Sequence, residues 1–216
     1  SLHDALPICL GFYDPVVFQG ECYWWGYPQT PQPPELYRSD GKKTTLVGRP
    51  GTMGMVARWQ YPVVLGDRIL FKGSFSQGDE LGISDGTAAG TRLLKDLYPG
   101  SESSSPNEFF QAPGGTVYFE ARDALHGWEL WKTDGTAGGT VLVADVNPAT
   151  DDARPVAPVQ MGGEWYWLAY ETDTDLSLWR SDGTSAGSSR VAALPGGMPW
   201  HDSLLFAASG RVYFSL

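Results

Sequence analysis

The sequence is short of positive charge and of long apolar runs. Its 216 residues include 15 Lys and Arg against 25 Asp and Glu, which gives a formal net charge of -10. Because nucleic-acid phosphates are bound by clustered Lys and Arg, this balance argues against a nucleic-acid partner. No stretch reaches the roughly 18 apolar residues that a membrane-spanning helix requires. We therefore predict neither a nucleic-acid-binding protein nor a membrane-spanning segment.

Cysteine and histidine are scarce as well. The two cysteines, Cys9 and Cys22, lie in the least regular part of the chain and support no metal site. A disulfide between them and two unpaired thiols are both compatible with the sequence. His126 and His201 lie far apart in predicted loops and lack the companion ligands that zinc requires. The sequence thus predicts no zinc site and does not decide the redox compartment.

Oxygen-rich loops leave calcium as the one other metal to weigh. The best candidates are residues 171–175, which read ETDTD, and the acidic stretch 145–152. Neither has the ligand spacing of an EF-hand or its closing glutamate. We interpret both as solvated acidic loops and predict no cofactor.

Aromatic and turn-forming residues are abundant. Phe, Trp and Tyr make up 13% of the chain, which also contains 27 Gly and 16 Pro. Strands are enriched in aromatics, whereas Gly and Pro occupy the tight turns between them. No segment keeps the 3.6-residue period of an amphipathic helix, and Gly or Pro interrupts nearly every candidate. The composition therefore predicts an all-β fold of short strands.

An internal repeat is the strongest feature of the sequence. An Asp-Gly dipeptide recurs at steps of 45, 49 and 48 residues. A second mark, a run of apolar and aromatic residues, begins near positions 21, 68, 116, 164 and 211, with steps of 47 or 48 residues. Two marks that keep one period indicate tandem units of about 47 residues. The predicted turn residues are Asp40, Gly41, Asp85, Gly86, Asp134, Gly135, Asp182 and Gly183.

The clearest unit, 106–148, contains four predicted strands. They are 109–111, 116–121, 129–132 and 140–146. Asp134-Gly135 is expected to close the hairpin between the third and fourth, because this dipeptide readily adopts positive φ. Four strands repeated in tandem are typical of β-propeller blades. The sequence therefore predicts a partial β-propeller of about four repeats. A β-solenoid, whose rungs are usually shorter, and a row of separate β modules are the alternatives.

Blades bury their apolar faces against one another, so the large aromatics that recur in each unit are predicted to form the core. These residues are Tyr37, Phe71, Phe119, Trp131, Trp167 and Trp179. Exposed aromatics could instead stack on sugar rings, and the candidates for that role are Trp24, Trp25, Trp165 and Trp167. Neighbouring residues of a strand face opposite ways, so some of these must be core. We adopt the core interpretation.

The third predicted strands resemble those of a known repeat family. Residues 129–136 read ELWKTDGT and residues 177–184 read SLWRSDGT, similar to the signature of the bacterial ELWxxDGT-repeat proteins. The first two units depart from it, with Tyr37 and Gly82 in place of the tryptophan. The resemblance covers most of 21–216. It implies a large exported or surface-associated protein with propeller-like units, and it implies no established activity.

The two ends of the sequence are expected not to be natural ends. Residues 1–8 resemble the translation of a common sequencing adapter and are excluded from fold reasoning. The last residues, 211–216, stop inside a predicted strand. We therefore expect 9–216 to be an incomplete repeat array from a longer protein.

Two patterns resemble catalytic motifs. Residues 82–86 match the G-x-S-x-G elbow of serine hydrolases, but the helix that must follow Ser84 is not predicted. The recurring turn aspartates resemble catalytic carboxylates, but a glycosidase needs two carboxyls within about 10 Å of each other. An Asp side chain that accepts backbone N–H bonds in its own turn explains every copy. We predict structural roles for these residues and no catalytic residue.

The function predicted from the sequence is non-catalytic binding or scaffolding, with a protein or carbohydrate surface as a candidate partner. The resemblance implies a location outside the cell or on its surface. One alternative is part of a glycosidase-like propeller hydrolase whose catalytic residues lie mostly outside this chain, and another is a passive spacer. A cluster of acidic, Tyr or Arg residues that breaks the repeat on one face would favour the hydrolase. The sequence shows no such cluster.

Overall fold

A computed structural model describes residues 15–26, 35–48, 62–147, 152–172, 175–194 and 205–214. The described residues form eighteen β-strands and no helix, so this part of the chain contains no helix that could cross a membrane. In chain order the strands are β1 (Val16–Phe18), β2 (Glu21–Gly26), β3 (Glu35–Ser39), β4 (Thr44–Gly48), β5 (Val63–Leu65), β6 (Arg68–Phe75), β7 (Gly78–Ser84), β8 (Arg92–Lys95), β9 (Asn107–Ala112), β10 (Thr116–Asp123), β11 (Gly127–Thr133), β12 (Val141–Ala144), β13 (Val156–Met161), β14 (Glu164–Tyr170), β15 (Leu176–Ser181), β16 (Ser189–Leu194), β17 (Leu205–Ala208) and β18 (Arg211–Phe214).

Consecutive strands pair into five antiparallel sheets. Sheet I is β1–β4, sheet II is β5–β8, sheet III is β9–β12, sheet IV is β13–β16, and sheet V is the pair β17–β18. Within each four-stranded sheet the spatial order of the strands is their order in the chain. The prediction of an all-β fold made of tandem four-stranded antiparallel units is therefore confirmed.

Sheet III shows how closely the sequence pattern marks the strands. All four predicted strands of this unit are present, and β10 and β11 are longer than predicted, because Arg122 pairs with Trp128 and Asp123 with Gly127 before the hairpin turns. The fourth strand, β12, begins one residue later and ends two residues earlier than predicted. Thr140 is excluded from it because its hydroxyl bonds within the preceding turn.

The sheets meet along their first strands. Strand β1 contacts β5, β5 contacts β9, β9 contacts β13, and β13 contacts β17. Propeller blades are arranged in this way, with the first strand of each blade innermost and the last strand at the rim. The described sheets thus form part of a β-propeller.

Each junction between successive sheets holds one hydrophobic cluster. On β10, the side chains of Val117 and Phe119 belong to the cluster shared with sheet II, whereas Tyr118 belongs to the cluster shared with sheet IV. This alternation is the two-residue period of a strand that is covered on both faces. A fully buried aromatic side chain contributes a few kcal/mol at about 25 cal/mol per Å². Most of the cohesion therefore lies between the sheets.

The predicted core aromatics fall into two groups. Phe71, Phe119 and Trp167 are fully buried, and Trp131 is nearly so. The other two, Tyr37 and Trp179, are only partly buried. Each stacks on a tryptophan of the adjacent strand: Tyr37 on Trp24 at 5.9 Å and Trp179 on Trp167 at 6.3 Å between ring centroids. Tyr37 and Trp179 therefore lie at the edge of the core, where each shields a buried tryptophan from solvent.

Candidate functional site

The two ends of each sheet carry different loops. We call the end with the Asp-Gly turns the turn end; it also holds the short turns between first and second strands. The opposite end, called the linker end, holds the hairpins between second and third strands and the connections from one sheet to the next. The connections are 96–106, between sheets II and III, and 145–155, between sheets III and IV.

At the turn end, Asp134 organises its own hairpin. Its Oδ1 accepts hydrogen bonds from the backbone N–H of Thr136 at 2.8 Å and from the Thr136 hydroxyl at 2.7 Å. The same hydroxyl oxygen accepts from the N–H of Gly139 at 2.9 Å, and Thr140 Oγ1 donates to the Thr136 carbonyl at 2.6 Å. The Thr136 hydroxyl is the main cause that lowers the pKa of Asp134. The carboxylate is thus ionised and engaged inside the turn.

The same network recurs around Asp85 and Asp182. Each carboxylate accepts from the backbone N–H and the hydroxyl of a threonine two residues later, Thr87 or Thr184, at 2.6 to 2.9 Å. Asp40 accepts instead from the backbone N–H groups of Lys42 and Lys43, both at 2.8 Å. The pKa of each of these three carboxyls is also lowered. All four turn aspartates are therefore held within their own hairpins.

A glycine that the sequence analysis did not single out completes three of these turns. A Cβ added to Gly139 would lie 2.1 Å from Asp134 Oδ1, and one on Gly187 would lie 2.1 Å from Asp182 Oδ1. On Gly90 the corresponding distance to Asp85 Oδ1 is 1.9 Å. The carboxylate thus occupies the space of a side chain. The signal was readable, because a glycine follows each of these aspartates by five residues.

The turns also contact the preceding sheet. A Cβ on Gly86 would lie 2.8 Å from the hydroxyl oxygen of Tyr23 in sheet I, and one on Gly183 would lie 2.9 Å from that of Tyr118 in sheet III. Burial is the main cause that raises the pKa of Tyr118 to about 12, and the nearby charge of Asp182 adds to it. The second residue of each of these Asp-Gly turns therefore lies against a tyrosine of the sheet before it.

At the linker end, a buried glutamate holds the connection between sheets II and III. Glu80 Oε2 accepts from the Leu97 N–H at 2.8 Å and from the Ser104 hydroxyl at 2.5 Å, and Oε1 accepts from the Ser104 N–H at 2.8 Å. Burial raises the pKa of Glu80, and these hydrogen bonds oppose the rise. We call this arrangement, Glu80 with Leu97 and Ser104, the linker clamp of sheet II.

Sheet III carries a weaker form of the clamp. Glu129 Oε1 accepts from the Asn147 N–H at 3.1 Å, but Oε2 is buried without a hydrogen-bond partner among the described residues. Ala153 lies where Ser104 lies in the other linker and has no hydroxyl to offer. Burial raises the pKa of Glu129 to about 8. Glu80 and Glu129 are the first residues of the repeat signature. Nothing near them in the sequence indicates that their hydrogen-bond partners lie 17 to 24 residues further along the chain.

A polar cluster that breaks the repeat lies at the linker end between sheets III and IV. It is centred on Glu120, which pairs across the strands with Asn107. Burial is the main cause that raises the pKa of Glu120 to about 7; a hydrogen bond from Asn107 lowers it, and repulsion by Glu108 raises it. At the equivalent position sheet II has Lys72 and sheet IV has Leu168. Position-by-position comparison of the units would have revealed this departure.

Asp152 and Arg154 belong to the same cluster and bind the linker to sheet III. Asp152 Oδ1 accepts from the backbone N–H of Trp128 at 3.3 Å, and its Oδ2 lies 3.3 Å from Arg154 Nη2. The charge of Arg154 lowers the pKa of Glu120, whereas that of Asp152 raises it. Glu108 and Arg154 are both exposed and both have positive φ, 50° and 45°.

The junction between sheets II and III has its own charged groups. Arg122 Nε donates to the Ser103 carbonyl at 2.7 Å, and its guanidinium lies 5.4 Å from the ring centroid of Tyr98. A neighbouring hairpin places His126 Nδ1 2.8 Å from Asp123 Oδ2. Both signs of charge therefore occur along the linker end.

The remaining predicted candidates take internal places. Ser84, the elbow serine, is fully buried, and its hydroxyl pairs with that of Thr91 at 2.7 Å, so the motif is part of a turn. Cys22 is disulfide-bonded, whereas Cys9 lies outside the described residues, as do residues 1–8 and His201. Among the described residues no group of three or more His, Cys, Asp or Glu is arranged for a metal. The four tryptophans weighed as a sugar-stacking surface are all buried: Trp24, Trp25, Trp165 and Trp167.

Comparison with known proteins gives a likeness of fold only. No protein-family model matches the chain, and no curated protein sequence matches it. Among solved structures it is similar to a prolyl endopeptidase, with a TM-score of 0.53, 14% identity and coverage of 93% of this chain and 31% of that one. A puromycin hydrolase matches with a TM-score of 0.51, 14% identity and coverage of 93% and 32%. The chain thus spans about a third of the length of either enzyme.

A third similarity is weaker. An α-L-arabinofuranosidase from Clostridium thermocellum matches with a TM-score of 0.39, 13% identity and coverage of 93% of this chain and 80% of that one. At such a TM-score the match carries no argument.

Proposed function

We propose that this chain is a non-catalytic binding or scaffolding array of an exported or cell-surface bacterial protein related to the ELWxxDGT-repeat proteins. The linker end of sheets II to IV is the binding surface in this proposal. Its partner in this proposal is a protein or carbohydrate surface, and the test below begins with carbohydrate.

The difference between the two ends of the sheets carries this proposal. At the turn end the same aspartate network is repeated in three sheets, and its carboxylates are engaged within their hairpins. At the linker end the connections differ from sheet to sheet, as Ser105 and Arg154 do at equivalent positions of the two linkers. A repeated framework supports the fold, whereas individual residues at loops give a site its specificity. The linker end is therefore the surface whose residues vary between sheets, as those of a specific binding surface do.

A second function, part of a propeller hydrolase, is favoured by one observation. The polar cluster around Glu120 is the kind of repeat-breaking group that the sequence did not reveal. A carboxyl with a pKa of about 7 can donate a proton at neutral pH, and Glu108 and Asp152 lie near enough to influence it. Against this role, Asn107 bonds to Glu120, and its main neighbours serve to attach the linker. Glu120 is accordingly interpreted first as part of a binding surface.

The test measures binding to a panel of bacterial and plant cell-wall polysaccharides by affinity electrophoresis. The double variant Glu108→Ala with Arg154→Ala removes two exposed side chains at the linker end. Its matched control, Lys42→Ala with Lys43→Ala, removes two exposed side chains at the turn end of sheet I. We expect the linker-end variant to bind at least about tenfold more weakly, as loss of a hot spot does, and the control to bind like the wild type.

Activity towards the same polysaccharides separates the two functions. Release of reducing sugar by the wild type, abolished in Glu120→Gln while binding is retained, would establish the hydrolase and overturn the proposal. Binding that is weakened equally by both double variants would contradict the placement of the surface at the linker end.

A further inference from the structure

The four Asp-Gly turns share a dipeptide that is prone to a spontaneous chemical change. The backbone nitrogen of the glycine can attack the side-chain Cγ of the aspartate, because glycine has no Cβ to hinder the approach. The chain contains this dipeptide at Asp40, Asp85, Asp134 and Asp182. The reaction requires the carboxylate to leave its hydrogen bonds and the glycine N–H to leave its acceptor. The hydrogen bonds of each turn therefore determine how readily that turn reacts.

In sheets II, III and IV the glycine N–H is held by a pair of hydroxyls. Gly135 N donates to Thr133 Oγ1 at 3.0 Å, and Thr133 Oγ1 lies 2.8 Å from Thr140 Oγ1. The Thr140 hydroxyl is also bonded to the Thr136 carbonyl at 2.6 Å. In sheets II and IV the corresponding hydroxyls lie 2.7 and 2.8 Å apart and belong to Ser84 with Thr91 and to Ser181 with Ser188. The acceptor of the glycine is thus fixed by both strands of the hairpin.

In the same three turns the carboxylate is bonded to a threonine that is itself held. The Thr136 hydroxyl donates to Asp134 and accepts from the N–H of Gly139. Thr87 and Thr184 make the same two bonds in sheets II and IV. To reach its own glycine nitrogen, each of these carboxylates must therefore break out of a connected network.

The turn of sheet I is two residues shorter than the other three. Tyr37 pairs with Leu46, nine residues further on, whereas the equivalent pairs in sheets II, III and IV are eleven residues apart. Lys42 occupies the position of the network threonine, and no glycine follows Asp40 by five residues. The shorter turn therefore lacks both the threonine hydroxyl and the glycine that enclose the carboxylate in the other sheets.

The two reacting groups of this turn are held by fewer contacts. Asp40 accepts from the backbone N–H groups of Lys42 and Lys43, and among the described residues no side chain donates to it. Gly41 N donates to Ser39 Oγ at 3.1 Å, and in the described part of the chain no second hydroxyl bonds to Ser39. All these groups lie within the turn, so the comparison does not depend on what precedes sheet I.

We propose that Asp40-Gly41 is a site of spontaneous isoaspartate formation in the folded protein, and that the Asp-Gly pairs of sheets II to IV are protected from it. The Gly41 nitrogen forms a bond to Asp40 Cγ and one Cγ–O bond breaks. That oxygen leaves as water, with the amide proton and a second proton from the carboxyl group or the solvent. Water then cleaves the bond between the nitrogen and the main-chain carbonyl carbon of Asp40, so that the main chain runs through Cγ. This proposal is independent of the binding function.

Ionisation does not distinguish the four turns. Hydrogen bonds lower the pKa of all four carboxyls, and a carboxylate reacts more slowly than the neutral acid in each of them. The difference in rate therefore comes from the bonds that must break. One additional hydrogen bond of ordinary strength slows the step by about five- to tenfold.

The test is a prolonged incubation of the folded chain at neutral pH, followed by peptide mapping with mass spectrometry and enzymatic methylation of isoaspartate. We expect isoaspartate to accumulate at Asp40 at least about fivefold faster than at Asp85, Asp134 or Asp182. Incubation in urea is the control, because the unfolded chain has no turns and the four pairs should then react at similar rates. Equal rates in the folded protein, or a faster rate at one of the other three aspartates, would overturn the proposal.

Two substitutions test whether the threonine hydroxyl protects its turn. Thr136→Val removes the hydroxyl and keeps the branched shape, so the rate at Asp134 should rise about five- to tenfold towards that at Asp40. Thr136→Ser keeps a hydroxyl and should leave Asp134 protected. The unchanged turns at Asp85 and Asp182 report in the same molecule whether the fold is intact. An Asp134 that is as unreactive in Thr136→Val as in the wild type, with those turns still protected, would contradict the proposed cause of protection.

Discussion

The linker between sheets II and III and the linker between sheets III and IV are each bound by a glutamate at the same position of a third strand. The two glutamates differ in the number of hydrogen bonds that they accept from the linker. Glu80 accepts three hydrogen bonds, two of them from Ser104. Glu129 has one carboxylate oxygen bonded to Asn147 and leaves the other without a partner among the described residues. A buried polar atom without a partner costs about 1–3 kcal/mol. Two units that share a signature can thus be fastened with unequal strength.

The difference comes from a residue outside the signature. Ser104 and Ala153 occupy equivalent places in the two linkers, each 24 residues beyond its glutamate. The exchange of a hydroxyl for a hydrogen removes one bond to the carboxylate, and the Ala153 N–H donates to the Trp128 carbonyl at 2.8 Å instead of to Glu129. The glutamate is present in both sheets, so the number of hydrogen bonds at each junction between sheets is determined by the linker residues.

Removal of each glutamate in turn should test most directly whether the two clamps differ in strength. Glu80→Ala leaves the Leu97 N–H and both Ser104 donors without their acceptor, so we expect the free energy of unfolding to fall by about 3 kcal/mol or more. Glu129→Ala should lower it by about 1–2 kcal/mol, because it removes fewer bonds and also removes an unsatisfied oxygen. Urea unfolding followed by tryptophan fluorescence measures both. Equal losses would show that the two clamps do not differ.

The turns offer a change that should affect sheets II and III alike. Gly90→Ala and Gly139→Ala would each place a Cβ about 2 Å from the turn carboxylate. We expect either to lower the free energy of unfolding by about 2 kcal/mol, because the carboxylate must leave its hydrogen bonds. Gly138→Ala is the matched control, since nothing lies within 4 Å of its added Cβ and its φ is not positive. If Gly90→Ala and Gly139→Ala differed markedly in thermal unfolding, sheets II and III would differ in the stability of their turns as well as in their linkers.

The pH dependence of stability should depend on the buried carboxyl of Glu129. The pKa of Glu129 rises from 4.5 to about 8 on folding, so the folded protein holds this proton more tightly than the unfolded chain. Its stabilising contribution is complete below about pH 4.5 and is lost as the pH rises towards 8. Glu129→Gln should flatten this fall, with an effect of about 4 kcal/mol near pH 8, because each pKa unit corresponds to about 1.4 kcal/mol. Urea midpoints between pH 5 and pH 9 measure it, and an unchanged slope in the variant would contradict the assignment.

The smallest expected effect is a gain. Ala153→Ser restores to the second linker the hydroxyl that Ser104 supplies in the first, and should raise the free energy of unfolding by about 1 kcal/mol. It should also lower the pKa of Glu129, since a hydrogen bond to the carboxylate favours its charged form. The reverse change, Ser104→Ala, is the control and should be destabilising. A loss of stability in Ala153→Ser would indicate that the site has no room for the hydroxyl.

The sequence allowed the fold to be predicted well because its marks are local. The Asp-Gly turns and the apolar runs keep one period, and each lies within a few residues of the strand that it defines. The glycine that follows three of the four turn aspartates by five residues carried the same kind of signal and was overlooked.

The candidate site could not be predicted in the same way, because its contacts join distant parts of the chain. A glutamate in a strand is ordinarily exposed, and only the folded linker shows that Glu80 and Glu129 are buried. Comparison of the units would have shown that Glu120 departs from the repeat, but only the folded structure shows that its carboxyl is largely buried. Burial is the main cause of its raised pKa, and the charges of Asp152 and Arg154, which also influence that pKa, come from a linker more than thirty residues away.

The contacts that the turns at Gly86, Gly135 and Gly183 make with the sheet before them bear on how such an array can grow. A unit of about 47 residues contains both halves of the junction: a turn glycine that meets the preceding unit, and a side chain that meets the following one, as Tyr23, Leu65 and Tyr118 do. Duplication of such a segment in the gene therefore inserts a unit that already fits on both sides. The linkers are then free to diverge, as Ser104 and Ala153 have done, and an array lengthened in this way acquires new surfaces without any change to its framework.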